Sequence, residues 1–442
     1  MNVLEQYQVR GRRAAEIAAS IEAAVRDGRL VPGTHLPTVR DLARDLEVSP
    51  ATVAAAYASL RRRGLVTARG RLGTQVAARP PLPVQPAAPL PAGVRDLATG
   101  NPDPELLPRV GVVLGRLDLG SRLYDERSNL PALVEAAVAQ LGRDGVPPGP
   151  VVVVSGAMDG VERVLAAHLR PGDRVAVEDP GYPRVFDLLA ALGLVAAPVR
   201  LDGGGPLPGD LDRALAGGAV AFVVTPRAQN PTGAAIGADR AAELRRVLDG
   251  HPRVLVVEDD HAAMVAGAPY RTLCPDRGRW AVVRSVAKAL GPDLRVAMLT
   301  GDPDTVGRVE GRQLLGPGWV SHVLQAVVAE LWADPGTAEV LGAATAAYAG
   351  RRAALLGALA RHGAAGQGDS GMNVWVAVPE EARTVARLLE AGWAVAAGER
   401  YRLRSGPAVR VTVSTLRDPA EAERLAATLA AALRPERRTW SA

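Results

Sequence analysis

The chain is almost without lysine. Lys288 is the only one in 442 residues, so arginine supplies the other 51 of its 52 basic side chains. A guanidinium stays protonated and is a poor nucleophile, whereas a lysine amine can lose its proton and form an imine with a carbonyl. Any such chemistry here falls to position 288. Cysteine is as scarce: Cys274 stands alone, which excludes an internal disulfide framework and suits a reducing compartment. No apolar run approaches the roughly 20 residues of a membrane span, and the sequence does not open with a secretory signal pattern. A soluble, cytoplasmic protein is expected. His35, His168, His251, His322 and His362 are scattered without metal-ligand spacing, and no metal is expected.

Acidic residues are missing from one stretch. None lies between Glu47 and Asp96, where Arg61, Arg62, Arg63, Arg69 and Arg71 do. Residues 1–78 hold 12 Arg against 7 Asp and Glu, and the rest of the chain balances 40 basic with 40 acidic residues, so the whole net charge of +5 sits at one end. A compact basic face on an otherwise neutral protein points to a polyanion. The pattern within it is helical: Ile17, Ile21 and Val25, then Val39, Leu42, Ala43 and Leu46 behind a Thr38 cap, then Val53, Tyr57 and Leu60 behind Ser49 and Pro50. Leu65 to Val76 reads as a hairpin with a basic, glycine-bearing tip. Helix, helix-turn-helix and wing form a DNA-binding arrangement.

This stretch resembles the winged helix-turn-helix domain of the GntR family of transcription regulators. The resemblance rests on Leu36-Pro-Thr-Val-Arg-Asp-Leu-Ala43, Val48-Ser-Pro-Ala-Thr-Val53, Ala56-Tyr57, Leu60, Gly64-Leu-Val66 and Gly73-Thr74. It implies DNA contacts from Arg40, Ser49 and Thr52 on the helices and from Arg69 and Gly70 on the wing. Pro50 and Ala51 open the recognition helix where relatives often carry arginine or another polar side chain, so arginine's bidentate reading of guanine is absent there and base readout should be sparse. A dimer on repeated half-sites is the expected geometry.

Residues 79–95 carry six prolines between Pro80 and Pro91 and form a Pro-rich, extended linker between the 1–78 head and a 96–442 body. In the body, apolar runs at 151–154, 174–177, 219–224, 254–257, 281–283 and 296–299 alternate with helical segments. Apolar on both faces, such runs predict a large, mostly parallel α/β/α sheet, whose ligands sit beyond the strands' carboxyl ends. Polar residues gather there. Gly156, Ala157 and Met158 open a helix suited to a phosphate; Tyr182 offers a flat ring; Asn230 lies in Asn-Pro-Thr-Gly; Asp259 and His261 follow the fourth run; Ser285, Lys288 and Arg295 follow the fifth.

Together these meet the needs of pyridoxal 5'-phosphate (PLP). Lys288 takes the aldehyde, Asp259 keeps the pyridine nitrogen protonated, Ser285, Arg295 and the helix amides hold the phosphate, and Asn230 donates to the phenolic oxygen. Their order and spacing match fold-type I aminotransferases, and head, linker and body together resemble the MocR-type regulators. That resemblance implies a smaller C-terminal α+β subdomain and a head-to-tail homodimer in which Tyr124 reaches the partner's cofactor phosphate. It also gives Arg410, in Val409-Arg-Val-Thr-Val-Ser414, the role of gripping a substrate carboxylate. Two positions depart from relatives. His261 replaces a tyrosine, and its protonation near pH 7 is expected to disturb the aldimine's titration. Asp125-Glu-Arg-Ser-Asn-Leu130 lacks the glycine that relatives keep near 129, which leaves ligand choice open. The reading is a PLP-dependent, DNA-binding transcription regulator sensing PLP or an amino compound (an amino acid or amine) through an aldimine at Lys288. The alternative is a working aminotransferase with an accessory head, because the residues of half-transamination are all present.

Overall fold

The structure, a computed structural model, describes residues 9–433 except 27–28, 32, 63–64, 69–72, 78–89, 122 and 125–127. The expected wing contacts Arg69 and Gly70, and most of the linker, lie outside the described residues. Two compact units result: one takes residues 1–88 with 170–173 and 186–195, the other the remainder.

In the first unit, α1 (Ala14–Arg26), α2 (Val39–Asp45) and α3 (Pro50–Arg62) precede β1 (Val66–Ala68) and β2 (Thr74–Val76), which pair antiparallel with Val66 opposite Val76. The caps fall where the sequence places them. The Thr38 hydroxyl accepts from Asp41 N at 3.2 Å, and the Ser49 hydroxyl accepts from Thr52 N at 3.2 Å. Between α2 and α3, Glu47 adopts a left-handed backbone with φ 53°, a conformation rare for a residue with a side chain, and Val48 N then bonds Ala43 O at 2.9 Å. The turn is thereby tight. Ile17, Ile21, Leu42, Val53, Tyr57, Leu60, Val66 and Val76 form the core, and the Tyr57 hydroxyl donates to Pro37 O at 2.8 Å.

From residue 95 onward the chain is built on a long sheet. In chain order its elements are β3 (Arg95–Asp96), α4 (Val110–Leu114), α5 (Pro131–Arg143), β4 (Val151–Val154), α6 (Ala157–His168), β5 (Arg174–Asp179), α7 (Pro183–Ala191) and β6 (Val195–Asp202). There follow β7 (Gly205–Pro206), α8 (Pro208–Ala216), β8 (Ala219–Val224), α9 (Ala238–Asp249), β9 (Leu255–Asp260), β10 (Trp280–Ser285), α10 (Ala287–Leu290) and β11 (Ala297–Gly301). The sheet order is β4-β11-β10-β9-β8-β5-β6-β7. Strands β5, β8, β9 and β10 pair in parallel, whereas β11 runs antiparallel to both β10 and β4. All six apolar runs are therefore strands, and one of them is reversed. The reversal brings the residues before β11 to the edge where the other strands end. At the outer strand β4, Asn129 Oδ1 accepts from Val153 N and Gln313 Nε2 donates to Val153 O, both at 3.0 Å, which satisfies backbone groups that no strand covers.

The expected strand end at 257 is too early. Strand β9 continues through Glu258, Asp259 and Asp260, all buried: Glu258 accepts from the Tyr270 hydroxyl and Leu273 N, Asp260 accepts from Arg227 and Arg284, and Asp259 keeps one oxygen unpaired. Helices α11 (Pro303–Leu314), α12 (His322–Ala333) and the long α13 (Pro335–Arg361) lead to a three-stranded sheet of β12 (Asn373–Ala377), β14 (Ala396–Ala397) and β15 (Ala408–Thr412). Helices α14 (Glu381–Glu390) and α15 (Pro419–Leu433) accompany it, and β13 (Trp393–Ala394) pairs with β3. Leu355, Leu359, Val374, Val376, Leu388, Val409, Val411 and Leu425 close this smaller core. Cys274 is fully buried with a free thiol, and burial pushes its pKa well above the usual value.

Candidate functional site

Each predicted site residue of the body except Tyr124 and Arg410 lies at one edge of the large sheet. Gly156 follows β4, Tyr182 follows β5, Asn230 follows β8, Asp259 and His261 lie at the end of β9, Ser285 ends β10 and Lys288 sits on α10. Arg295 enters from the reversed strand with a left-handed φ of 48°. Its NH2 donates to Ser155 O at 3.2 Å, and a Cβ on Gly156 would stand 2.6 Å from that nitrogen. Glycine is required there. With φ 95° it begins α6, which no side chain caps, so the first amides of the helix and the Arg295 guanidinium form one cationic cradle.

Lys288 donates to Gly100 O at 2.6 Å. Burial, then the charges of Arg410 and Arg184, bring its amine down to about 8. Beyond it Asp259 is 4% exposed, and its Oδ1 has no hydrogen-bond partner. Burial, then the neighbouring Asp260, raise that carboxyl to about 7. A buried carboxylate oxygen left unpaired is costly, and a ring N–H⁺ satisfies it. The orphaned oxygen, the glycine-dependent cradle and the single amine fit PLP.

Arg410, on β15, is 3% exposed. NH1 donates to Asn230 Oδ1 at 3.1 Å, NH2 donates to Ala98 O, Nε has no partner, and the guanidinium stacks 5.0 Å from the Tyr401 ring. Asn230 keeps its amide nitrogen as a donor. Tyr182 is raised by burial and feels Asp259, Tyr401 and Arg410, which places it in the same field of charge. His261 corrects an expectation. Burial first, then the Lys288 charge, bring its imidazole down to about 4, so it stays neutral through the physiological range and does not titrate near pH 7. It remains an N–H donor. Tyr124 is 93% exposed and meets Trp319 edge-on at 5.8 Å, apart from these residues.

Sequence reasoning missed three contributors. Tyr401 supports Arg410, and its only signal was an aromatic near the C-terminal strand. Gln229 Nε2 donates to Glu178 Oε2 at 3.2 Å and Pro180 O at 3.0 Å, tying the end of β8 to that of β5. The third is an ion network on the face opposite Asp259. Asp260, fully buried, accepts from Arg227 Nε at 2.9 Å and NH2 at 3.0 Å and from Arg284 Nε at 2.7 Å. Arg284 NH2 also lies 2.7 Å from Asp144 Oδ2, an ion pair without hydrogen-bond alignment. In the head, the Ser49 and Thr52 hydroxyls lie 2.9 Å apart and share one hydrogen bond, while Arg40 is exposed on α2.

An amine at about 8 has a pH consequence. The neutral form attacks a carbonyl, so attachment of an aldehyde at Lys288 should accelerate as pH rises from 7 and level off above about 9. Stopped-flow absorbance against pH measures this. A rate still climbing steeply at pH 10 would mean that the amine keeps its ordinary basicity.

Residues 94–429 match the family Aminotransferase class I and II, and residues 13–76 match Bacterial regulatory proteins, gntR family. The chain is 40% identical over 432 residues to the vitamin B6 salvage pathway transcriptional repressor PtsJ of Salmonella typhimurium, covering 96% of this chain and 99% of that protein. It is 30% identical to the HTH-type transcriptional regulator TauR of Rhodobacter capsulatus, over 81% and 82% of the two chains. The crystal structure of the Pyrococcus horikoshii kynurenine aminotransferase, complexed with PMP, superposes with a TM-score of 0.70 at 22% identity, over 77% of this chain and 91% of that one. That likeness is one of fold.

Proposed function

The chain belongs to the aminotransferase class I and II family and, through its head, to the gntR family, the pairing found in MocR-type regulators, and from that membership we infer a PLP-dependent, DNA-binding transcription regulator. The observation that carries the cofactor's place is Asp259, a buried carboxylate with an unpaired oxygen at the sheet edge that also bears Lys288. When bound, PLP supplies an aldehyde to the Lys288 amine and a ring able to accept electrons.

The chain's own residues hold and tune that group. Asp259 keeps the ring nitrogen protonated, Asn230 and neutral His261 donate to the phenolic oxygen, and Tyr182 lies against the ring. Ser285, Arg295 and the amides of Gly156, Ala157 and Met158 take the phosphate. Tyr124, exposed in its own chain, would complete the phosphate site of a second protomer in a head-to-tail homodimer. Arg410, with an unpaired Nε, takes the carboxylate of an amino acid effector. The functional division is a head at 1–78, a linker at 79–95 and a body from 96.

On DNA, Arg40, Ser49, Thr52, Arg69 and Gly70 make the contacts. The mutual hydrogen bond of Ser49 and Thr52 leaves these hydroxyls a positioning role, and base readout stays sparse behind Pro50 and Ala51. Repeated half-sites and a dimer supply the affinity. Among the described residues no helix is long and apolar enough to cross a membrane, and action on DNA supports a cytoplasmic protein.

A visible-absorbance titration of the PLP-loaded protein with amino acids and amines tests the regulatory reading. One compound should shift the cofactor band, after which the reaction stops. Sustained turnover once a keto acid is added would instead make the body a working aminotransferase and the head its accessory.

A further inference from the structure

The two side chains assigned to the ligands are engaged by one short segment. Lys288 Nζ donates to Gly100 O at 2.6 Å, and Arg410 NH2 donates to Ala98 O. These carbonyls belong to a strap, residues 96–101, that begins in β3 and is the first part of the body after the linker. Gly100 makes the grip possible: its φ is 71°, and a Cβ there would stand 3.2 Å from Arg410 NH2. The strap's other ties are few. Asp96 Oδ1 accepts from Ala98 N at 2.8 Å and Thr99 N at 3.2 Å, Leu97 pairs with Ala394 and Thr412, and the Ser414 hydroxyl donates to Asn101 O at 2.6 Å.

We propose that this strap reads the occupancy of the site: its carbonyls take up the two groups that a cofactor carbonyl and an effector carboxylate require, so each ligand removes a different tie. Lys288, once its amine is engaged by the cofactor's aldehyde with loss of water, has no free ammonium to offer Gly100 O. The Gly100 tie is lost. An amino acid that takes over the cofactor's carbonyl returns the amine to Lys288, while its carboxylate competes with Ala98 O for Arg410. The second tie is then exchanged for the first. PLP alone and PLP with an amino acid therefore leave the strap held differently, at the point where the chain leaves for the head. A ligand acts on an equilibrium only through such a difference between states.

The inference rests on the cofactor reading above, and the test separates the two. Amide hydrogen exchange over residues 97–103 is measured by mass spectrometry for the full-length protein with and without PLP, for wild type, Lys288→Ala and Lys288→Arg, with absorbance recorded in parallel. Wild type should exchange roughly tenfold faster at these amides once PLP is attached, the scale of one charge-assisted hydrogen bond. Lys288→Ala should exchange fast with or without PLP. Lys288→Arg keeps a cationic donor that cannot attach the cofactor, and should stay slow in both conditions. Equal exchange of Lys288→Ala and wild type without ligand would overturn the proposal, as would an attached cofactor with no change at the strap. Absence of the visible band in wild type would count against the cofactor reading alone, because the ligand-free comparison still decides the strap.

Discussion

Lys288→Ala should abolish covalent attachment of PLP. With the wild type, addition of PLP and reduction with borohydride should leave one cofactor mass on the tryptic peptide containing Lys288, because the aldehyde carbon and Nζ join with loss of water and the C=N bond is then reduced. The chain helps the measurement, since Lys288 is its only side-chain amine. In the variant, neither the visible band nor the reduced adduct should appear. Lys288→Arg should fail equally, for a guanidinium does not supply the neutral nucleophile. The phosphate cradle at Gly156 and Arg295 does not depend on Lys288, so weak, reversible binding of PLP should persist in both variants. A visible band and a reduced cofactor adduct that persist in Lys288→Ala would show that the amine has been misassigned.

Asp260→Asn is expected to cause the largest loss of stability. Burial alone raises the Asp260 carboxyl, yet the guanidiniums of Arg284 and Arg227 outweigh it and hold the group below the usual carboxylate range. Asparagine keeps the shape and removes the charge. Two buried guanidiniums are then left with Asp144, which is nearer the surface, as their remaining carboxylate. Breaking a buried ion pair from one side costs about 3–5 kcal/mol. All six tryptophans lie from Trp280 onward, so urea unfolding followed by tryptophan fluorescence reports on the body rather than the head. A loss below about 1 kcal/mol would mark the network as dispensable, since that is the scale of an exposed pair. The same change removes a negative neighbour from Asp259, which should then ionise at lower pH than about 7.

The architecture was legible because its signals are local. Six apolar runs became six strands, and Thr38 and Ser49 capped the helices that their neighbours' spacing predicts. The candidate site was legible for a different reason: its residues, Tyr124 and Arg410 aside, lie at or just beyond strand ends, where sequence order maps onto a common edge. What escaped depends on contacts distant in sequence. Strand β6 is interrupted by Pro198 and half-buried, so no apolar run announces it. The direction of β11 is set by its pairing with β4 and β10, which apolarity does not encode. The end of β9 was misplaced because three consecutive acids look like a loop until Arg227 and Arg284 stand beside Asp260 and Tyr270 beside Glu258. One clue was present: Arg284 directly follows the apolar run Ala281-Val-Val, where a buried cation demands a counter-ion. His261 was misjudged because its titration is fixed by burial and by Lys288, neither visible in the residue type.

The sealed position of Cys274 has a practical reach. A thiol with no exposed surface and no tendency to ionise will ignore maleimides in the folded protein, so the chain is a ready-made cysteine-free background for labelling. One cysteine introduced on an exposed face of α1 and another on α13 would take a donor and an acceptor dye without deleting a native residue. Energy transfer between them could then follow the distance from head to body as PLP and amino acids are added, in single molecules and in real time.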